Sequence, residues 1–243
     1  MEYIKENLDS VAFGKSILKI ENIDISVNFN DFEDRYIKEY SPLYVYARIP
    51  IEDLQKIHYL ENCGFNYVET QFKMKKRLSK LEDMSIFNDE YLYTPVTNVN
   101  EIPYICEISD KIMNVDRMIL DEKLETKSAQ KRYHLYIKKS FENKEEHLYK
   151  FIYKPTNEII GYHTEKLIDD KNILFYIGGI VPEYQKTGAT FALEYSVFNN
   201  LYLSGFKKII THISAANYNI INFEMRTVGF KPIQTYVILR KVY

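Results

Sequence analysis

The chain has 243 residues, of which 46% are hydrophobic, so it is long enough to bury a sizeable core in one large domain or two small ones. Its 32 basic and 34 acidic residues leave a formal charge of −2, which excludes a general electrostatic attraction to nucleic acid or anionic lipid. Two cysteines are too few for a disulfide scaffold and form no zinc motif, so we expect a cytoplasmic protein with no metal.

The N-terminal stretch MEYIKENLDS contains acidic residues and no apolar core, so we expect no signal peptide. The longest apolar stretch, 173–181, is much shorter than the ~20 residues that span a bilayer. We therefore expect neither a membrane nor a nucleic acid as a partner.

The first clear pattern of elements lies between residues 43 and 76. LYVYARIP, residues 43–50, is typical of a strand. An amphipathic helix follows, because apolar residues recur three apart at Ile51, Leu54, Ile57 and Leu60. Gly64 is placed to end that helix in a left-handed conformation, and alternating apolar residues from Tyr67 to Met74 predict a second strand.

A longer connection lies between residues 173 and 205. ILFYIGGIV predicts a buried strand that ends at Pro182, and the residues 185–188 form a turn. The helix after the turn is apolar over most of its circumference, so it must pack against a sheet, and Gly205 ends it.

The last part of the chain repeats the first pattern. Residues 207–214 predict a strand, 218–227 a short helix that stops at Gly229, and 234–240 a strand. The phrases CGFNYVETQFKMKK and VGFKPIQTYVILRK share Gly-Phe, Thr and a basic pair at a constant displacement of 165 residues. A duplicated strand, helix and strand unit is the predicted cause, with coincidence as the alternative.

A phosphate site is predicted where the helix begins after the turn. The amides at such a terminus lack partners inside the helix and lie at the positive end of its dipole. The turn and first helical residues that would hold a diphosphate are Gln185, Lys186, Thr187, Gly188, Ala189 and Thr190. Glycines inside the preceding strand, 178–179, indicate a close approach, so backbone groups of Ile180 and Val181 can pair with the amides of a pantetheine arm.

VPEYQKTGAT, preceded by GGI and followed by ISAANYNIINFEMRTVGF, resembles the acetyl-CoA motif of the GNAT superfamily of N-acetyltransferases. Gln185 and Gly188 match that motif, whereas Thr190 replaces its Gly or Ala and crowds the start of the helix. The resemblance implies an α/β GNAT fold, in which helices flank a mixed central sheet. It also implies a degenerate GNAT-like N-terminal domain, 1–85, and an acetyl-CoA-binding catalytic domain, 86–243.

Within the superfamily, the chain is most similar to the TDP-fucosamine acetyltransferase group. NLDSVAFGKS resembles the opening of that group through Asp9, Ser10, Phe13 and Gly14. DRMILD and RYHLYIKKS resemble its middle, where Arg117 and Asp121 match and Tyr136 stands in place of Trp. This resemblance implies a nucleotide-linked amino sugar as acceptor.

The family pattern also implies which residues catalyse the reaction. Its general acid is often a Tyr four residues before the Gly of Gly-Phe, where this chain has Met225. Tyr218, two helical turns earlier, is the candidate replacement, and the alternative is an aromatic residue that only packs on the helix. Asn217 is expected to bond the pantetheine.

Three residues are candidates for contact with the acceptor. Arg117 is expected to meet a phosphate or carboxylate with Asp121 orienting it, although an ion pair within one helix is the alternative. His163 lies in a strand expected beside the acceptor cleft and is either a base or a structural histidine.

The predicted function is acyl transfer from acetyl-CoA to a small amine, with a TDP-linked amino sugar preferred as the acceptor. An amino acid, a polyamine or an aminoglycoside is the second possibility. A non-catalytic acyl-CoA-binding module is the third, and a homodimer is left open as an assembly.

Overall fold

The computed structural model describes all residues, 1–243, as ten strands and eight α-helices. The helices are α1 (Asn7–Phe13), α2 (Phe29–Tyr40), α3 (Leu54–Asn62), α4 (Ile102–Ile112), α5 (Arg117–Leu120), α6 (Thr126–Glu142), α7 (Ala189–Leu203) and α8 (Tyr218–Phe223). The strands are β1 (Glu2–Lys5), β2 (Ile17–Glu21), β3 (Tyr44–Pro50), β4 (Asn66–Arg77), β5 (Tyr91–Pro95), β6 (Glu146–Tyr153), β7 (Glu158–Leu167), β8 (Asn172–Ile180), β9 (Lys208–Ser214) and β10 (Lys231–Val242). None of these helices is both long enough and apolar enough to cross a bilayer.

All ten strands join one mixed sheet in the order β1-β2-β3-β10-β4-β9-β8-β7-β6-β5. Two neighbouring pairs are parallel, β2 with β3 and β8 with β9, and the others are antiparallel. Each parallel pair is connected through a helix, as parallel pairing requires. The expected α/β architecture, a mixed sheet flanked by helices, is therefore confirmed.

Two copies of a β-α-β-α-β unit build most of this sheet. The first runs β2-α2-β3-α3-β4 and the second runs β8-α7-β9-α8-β10. The copies exchange their last strands, because β10 pairs with β3 of the first copy and β4 pairs with β9 of the second. Neither copy has a complete sheet without the other.

The repeated phrases of the sequence form the two exchanged strands, β4 and β10, which pair with each other along most of their length. Gln71 lies directly opposite Tyr236, and these two positions differ by the same 165 residues that separate the phrases. A local two-fold axis therefore passes between Gln71 and Tyr236 and relates the copies.

Most predicted elements occur within a few residues of their expected bounds. Gly64 and Gly229 adopt the left-handed conformation that their positions after a helix require, with φ of 87° and 83°. The first half also contains a strand-to-helix connection, from β2 to α2. It has no glycine turn or apolar helix to mark it, so the sequence pattern did not reveal it.

The helices divide between the two faces of the sheet. The face that carries α2, α3, α7 and α8 holds two clusters. In the N-terminal cluster, Leu239 of β10 packs with Phe32 and Leu60. In the other cluster, Phe198 of α7 packs into the core. On the opposite face, α5 and α6 cover Tyr44, Tyr46 and Ile238. The last strand of the chain is thus buried in the core of the first half.

Leu239→Ala should lower the free energy of unfolding by about 2–5 kcal/mol, because Leu239 is fully buried and its truncation leaves a cavity. Urea denaturation should show a single transition, since β10 completes the sheet of both copies. The control is Leu203→Ala, whose side chain is 73% exposed and should change stability little. Two separate transitions would show that the exchanged strands do not make the two copies unfold as one unit.

Candidate functional site

The strands β8 and β9 form a wedge-shaped gap. They pair only from Asn172–Leu174 to Lys208–Ile210 and separate beyond those residues. A bulge in β8 accompanies the separation, and the Thr164 hydroxyl of β7 fills it by accepting from the Ile177 N–H at 3.0 Å and donating to the Ile177 carbonyl at 2.9 Å. The C-terminal half of β8 is thereby held to β7 and turned away from β9.

Glycine is required where β8 passes β7 above the bulge. A Cβ on Gly178 would lie 2.7 Å from the Tyr162 carbonyl oxygen, so no larger residue fits. Because alternate peptide groups of a strand point to opposite sides, those of Gly178 and Ile180 point into the gap. The Ile180 carbonyl accepts from Gln185 Nε2 at 2.9 Å, which leaves the Ile180 N–H for a ligand.

Val181 offers no backbone group to a ligand. Its N–H donates to the Ile160 carbonyl at 2.9 Å, and its carbonyl accepts from the Tyr184 N–H at 3.0 Å. Gln185 likewise uses its side chain to brace the turn against Ile180. Of the strand positions expected to bind a pantetheine arm, the geometry therefore retains Ile180.

The N-terminus of α7 opens at the top of this gap. Gly188 has a left-handed φ of 90° and no side chain caps the helix. The N–H groups of Gly188, Ala189, Thr190 and Phe191 have no acceptor in the chain, and the first bond into the turn is from the Ala192 N–H to the Gly188 carbonyl. These four amides form a cradle at the positive end of the helix dipole.

The corresponding helix of the first copy, α2, has no such cradle. Its N-cap Asn28 accepts with its own side chain from the Asn30 N–H at 3.0 Å. Asn28 thus occupies the position that a ligand oxygen would take. The two copies therefore differ at the helix N-terminus, which is where an anion would bind.

The other turn residues surround the cradle without blocking it. Lys186 is exposed and has no carboxylate partner, so its ammonium is free to meet an anion. The Thr187 hydroxyl bonds the Tyr184 carbonyl at 2.8 Å, and the Thr190 hydroxyl lies 3.5 Å from the Gln185 carbonyl. Ala189 is fully buried and anchors the first turn of α7. The contact with the Gln185 carbonyl accommodates the Thr190 side chain.

A π-helical turn follows α8 and changes which residue points inward. The turn spans Glu224–Val228, and the Glu224 carbonyl accepts from the N–H groups of both Gly229 and Phe230. Because this turn contains one more residue than an α-helical turn, Met225 lies outside and is 44% exposed, whereas the Glu224 side chain is buried. Counting back four residues from Gly229 therefore reaches a residue that points outward.

Tyr218 and Asn217 lie at the start of α8. Tyr218 is the first helical residue and is 72% exposed. Asn217 caps the helix by accepting from the Ile220 N–H at 3.4 Å, so its amide nitrogen is available to a ligand.

Glu224 belongs to a buried cluster between α7 and α8. Burial, strengthened by the nearby Glu194 carboxylate, raises the pKa of Glu224 to about 9, and burial raises that of Glu194 to about 7. Lys76 of β4 opposes both shifts with its positive charge. The Oε2 atoms of both carboxyls are buried without a hydrogen-bond partner. At neutral pH, Glu224 is therefore a protonated acid that can donate.

A second carboxyl, Glu69 of β4, lies on the opposite face of the sheet at the open end of β9. Only 5% of it is exposed, its Oε1 accepts from Gln71 at 2.9 Å, and its Oε2 has no partner. Burial raises its pKa, while the charge of Arg117 and the hydroxyl of Ser214 lower it. No local sequence pattern points to Glu69, because its burial depends on β4 lying between β9 and β10.

Arg117 lies near Glu69 but does not pair with Asp121. The Arg117 guanidinium stacks on the Tyr46 ring at 4.6 Å. Asp121 forms a two-pronged pair with Arg240, whose Nε and Nη2 donate at 2.8 and 3.2 Å. The predicted orienting role of Asp121 toward Arg117 is therefore not what the geometry shows.

The segments that resemble one family group, around Asp9 and Tyr136, come together in space. The Tyr136 hydroxyl donates to Asp9 at 2.7 Å, and its ring meets Tyr176 of β8 edge-on at 5.2 Å. Arg132, also buried, pairs with Asp116 at 2.6 Å. This network links the N-terminal half to the gap.

His163 points to the α7 face of the sheet, away from Glu69 and Arg117. Its ring packs edge-on against Phe175 at 4.4 Å, and burial lowers its pKa to about 4, so it is neutral. Its Nε2 lies 3.8 Å from Glu165 and has no hydrogen-bond partner. The structure does not bring the three predicted acceptor residues together.

No family model matches the sequence, and no curated protein matches it. Solved structures do match. A GCN5-related N-acetyltransferase from Sphaerobacter thermophilus is similar with a TM-score of 0.71 and 12% identity over 99% of this chain and 76% of that one. A tandem GNAT protein from the clavulanic acid biosynthesis pathway has a TM-score of 0.60 and 10% identity, covering 93% and 75%.

A third similar structure is a GCN5-related glucosamine N-acetyltransferase region in a fungal multi-domain β-N-acetylglucosaminidase. Its TM-score is 0.66 at 10% identity, over 93% of this chain and 30% of that one. These likenesses show that the chain has the GNAT fold, and the tandem protein fits its two related halves.

Glu224→Gln should remove part of the pH dependence of stability. The folded chain keeps a proton on Glu224 that the unfolded chain releases above its ordinary pKa of 4.5, so stability falls as pH rises from there toward about 9. Relative to the variant, the wild type should lose on the order of 1 kcal/mol per pH unit between pH 6 and 8.

Urea denaturation at pH 6, 7 and 8 measures this difference. Glu122→Gln, at a side chain that is 83% exposed, is the control and should follow the wild type. Parallel curves for Glu224→Gln and wild type would show that Glu224 is ionised in the folded chain.

Proposed function

We propose that this chain is an acetyl-CoA-dependent N-acetyltransferase that acts on a small-molecule amine. The observation that carries the proposal is the contrast between two equivalent helices, in which α7 presents four unpartnered amides and α2 fills its own terminus with Asn28. A free helix N-terminus beside a gap in the sheet suits a diphosphate with an extended arm. The GNAT fold is consistent with that ligand.

The residues of the cradle and the gap fit coenzyme A. The amides of 188–191 would hold the diphosphate, with Lys186 as a mobile cation and the hydroxyls of Thr187 and Thr190 beside it. The peptide group of Gly178 and the amide nitrogen of Asn217 would pair with the arm, and the Ile180 N–H would face its thioester end. When bound, acetyl-CoA supplies the acetyl group as a reactive thioester.

Catalysis then rests on one backbone donor and two carboxyls of this chain. The Ile180 N–H points into the gap, where it can stabilise negative charge developing on an oxygen. Glu224 is protonated at neutral pH and can donate to a departing thiolate. Glu69, on the other face of the sheet, can accept the proton that the attacking amine loses. Tyr218, exposed at the start of α8, is the alternative donor.

For the acceptor we propose a TDP-linked amino sugar, which the resemblance to the fucosamine group favours. One structural neighbour is named as a glucosamine N-acetyltransferase region, which supports the amino-sugar class. We further propose that residues 86–243 bind the acetyl donor and that residues 1–85 are their degenerate counterpart. Neither Arg117 nor His163 is assigned a direct contact, although Arg117 remains the candidate nearest to Glu69.

Gly188→Asp should weaken acetyl-CoA binding at least tenfold, because the added carboxylate would lie among the four amides and repel a diphosphate. Isothermal titration calorimetry measures the dissociation constant. Gly205→Asp is a matched control, since Gly205 has a φ of 92°, close to the 90° of Gly188, but lies at the other end of α7 with open space around it. Equal affinity of the two variants for acetyl-CoA would show that the amides at the start of α7 do not bind its diphosphate.

Glu224→Gln and Glu69→Gln should each lower kcat by about 10²–10⁴-fold, the usual contribution of a positioned acid or base. Tyr218→Phe should leave kcat within about threefold. Thiol release from acetyl-CoA, measured with a panel of amines that includes TDP-4-amino sugars, reports the rates.

The outcomes separate the alternatives. A large loss in Tyr218→Phe with none in Glu224→Gln would assign the acid to Tyr218. Binding of acetyl-CoA without acetylation of any amine would identify a non-catalytic module.

A further inference from the structure

One part of the sheet face that carries α5 and α6 is left uncovered by helices and is rich in positive charge. We call this surface the cationic face. Its basic members come from four strands, β2, β3, β4 and β9: Lys19, Arg48, Lys73, Lys75 and Lys208.

Strand alternation and register place these side chains on the same side as Glu69. β4 pairs without a bulge against β10 from Glu69 to Lys73 and against β9 from Gln71 to Lys75, so every second residue from Glu69 onward shares one face. Lys73, Lys75 and Lys208 line an open groove of about 400 Å³ together with Leu174, Ile210 and His212. The groove therefore continues the surface on which Glu69 lies.

Most of these cations lack an acidic partner. Arg48, Lys73, Lys75 and Lys208 form no salt bridge, and only Lys19 pairs, with Glu21. The Arg48 guanidinium lies over the Tyr236 ring at 4.6 Å, which holds it flat on the sheet. In a chain of net charge −2, four unpaired cations on one concave face are a local excess.

The surroundings of His212 on β9 reflect this excess of positive charge. Burial, together with the positive charges of Arg48, Lys73 and Lys19, lowers its pKa to about 4. Its Nε2 is buried without a hydrogen-bond partner. A neutral ring with an unused nitrogen and three cations around it is a site that a bound anion would stabilise.

The distance between Glu69 and the cations sets the size of a ligand that reaches both. Lys73 is four residues along the same strand, about 13 Å between Cα atoms at ~3.3 Å per residue. Arg48 lies opposite Ile238, which lies opposite Glu69, so its Cα is about 10 Å away across two strand spacings. Flexible side chains shorten both spans, so one small molecule can contact Glu69 and the cations.

We propose that the cationic face binds the phosphate or diphosphate group of the acceptor, whose amine is thereby placed at Glu69. This inference rests on the proposed function and adds the surface on which the anionic part of the acceptor binds. Polyamines and aminoglycosides are excluded by the same charges, because they would carry several positive charges toward unpaired cations. The charge of the acceptor's phosphate group, more than the identity of its sugar, determines which acceptor this face binds.

The double variant Lys73→Gln/Lys75→Gln tests the proposal. Calorimetry with thymidine diphosphate, which has no amine, should show binding to the wild type and at least tenfold weaker binding to the variant. The double variant Lys80→Gln/Lys144→Gln removes the same charge at exposed lysines away from the groove and should bind as the wild type does. Absence of thymidine diphosphate binding to the wild type, or equal binding by both variants, would overturn the proposal.

Turnover gives a second, independent reading. With a TDP-linked 4-amino sugar, Lys73→Gln/Lys75→Gln should raise KM at least tenfold, whereas KM for the methyl glycoside of the same amino sugar and for acetyl-CoA should not change. Equal effects on both amines would overturn the proposal while leaving the acetyltransferase intact. If no amine is acetylated, the proposed function fails, and the diphosphate titration still decides whether the face binds an anion.

The His212 ring provides a local signature. Its NMR titration midpoint should move to higher pH when thymidine diphosphate is added, because the anion offsets the charges of Arg48 and Lys73. His58, exposed on α3, should not shift. An unmoved His212, or a single-stranded oligonucleotide that binds more tightly than thymidine diphosphate, would count against a small acceptor on this face.

Discussion

The separation of β8 from β9 after three paired residues is the constraint on which the site depends. The bulge held by Thr164 and the close passage at Gly178 turn β8 toward β7, and no side chain larger than hydrogen could follow that path. The gap that results exposes the peptide groups of β8, leads to the uncapped end of α7 and gives access to both faces of the sheet. Glu224 and Glu69 lie on opposite faces of the sheet, so the sheet itself separates the proposed proton donor from the proposed proton acceptor.

Local sequence was sufficient for the parts of the fold that depend on neighbouring residues. The strand before Pro182, the glycine turn and the apolar helix were all predictable, because periodicity and backbone freedom act over short distances. The 165-residue displacement even identified the strands that the two-fold axis relates. The exchange of β4 and β10 was not predictable, since pairing between distant strands leaves no mark on either strand alone.

The site could be predicted only in part for the same reason. The cradle at Gly188 follows from a short motif, whereas Glu69 and the cationic face become visible only when the strand order is known. Glu224 was missed for a different reason, because one extra residue in a π turn changes the inward position without altering the composition of the segment. Arg117 and Asp121 suggested a helical ion pair by spacing, but the helix ends after one turn and Asp121 finds Arg240 on the last strand.

The two halves also share a buried set of charges, with Arg132 near Asp9 and paired with Asp116, and Arg240 paired with Asp121. The position of β10 has a consequence for how such a chain is made. During synthesis, β3 and β4 leave the ribosome well before β10, the strand that lies between them in the sheet. A nascent chain must therefore hold the facing edges of β3 and β4 unpaired until β10 emerges.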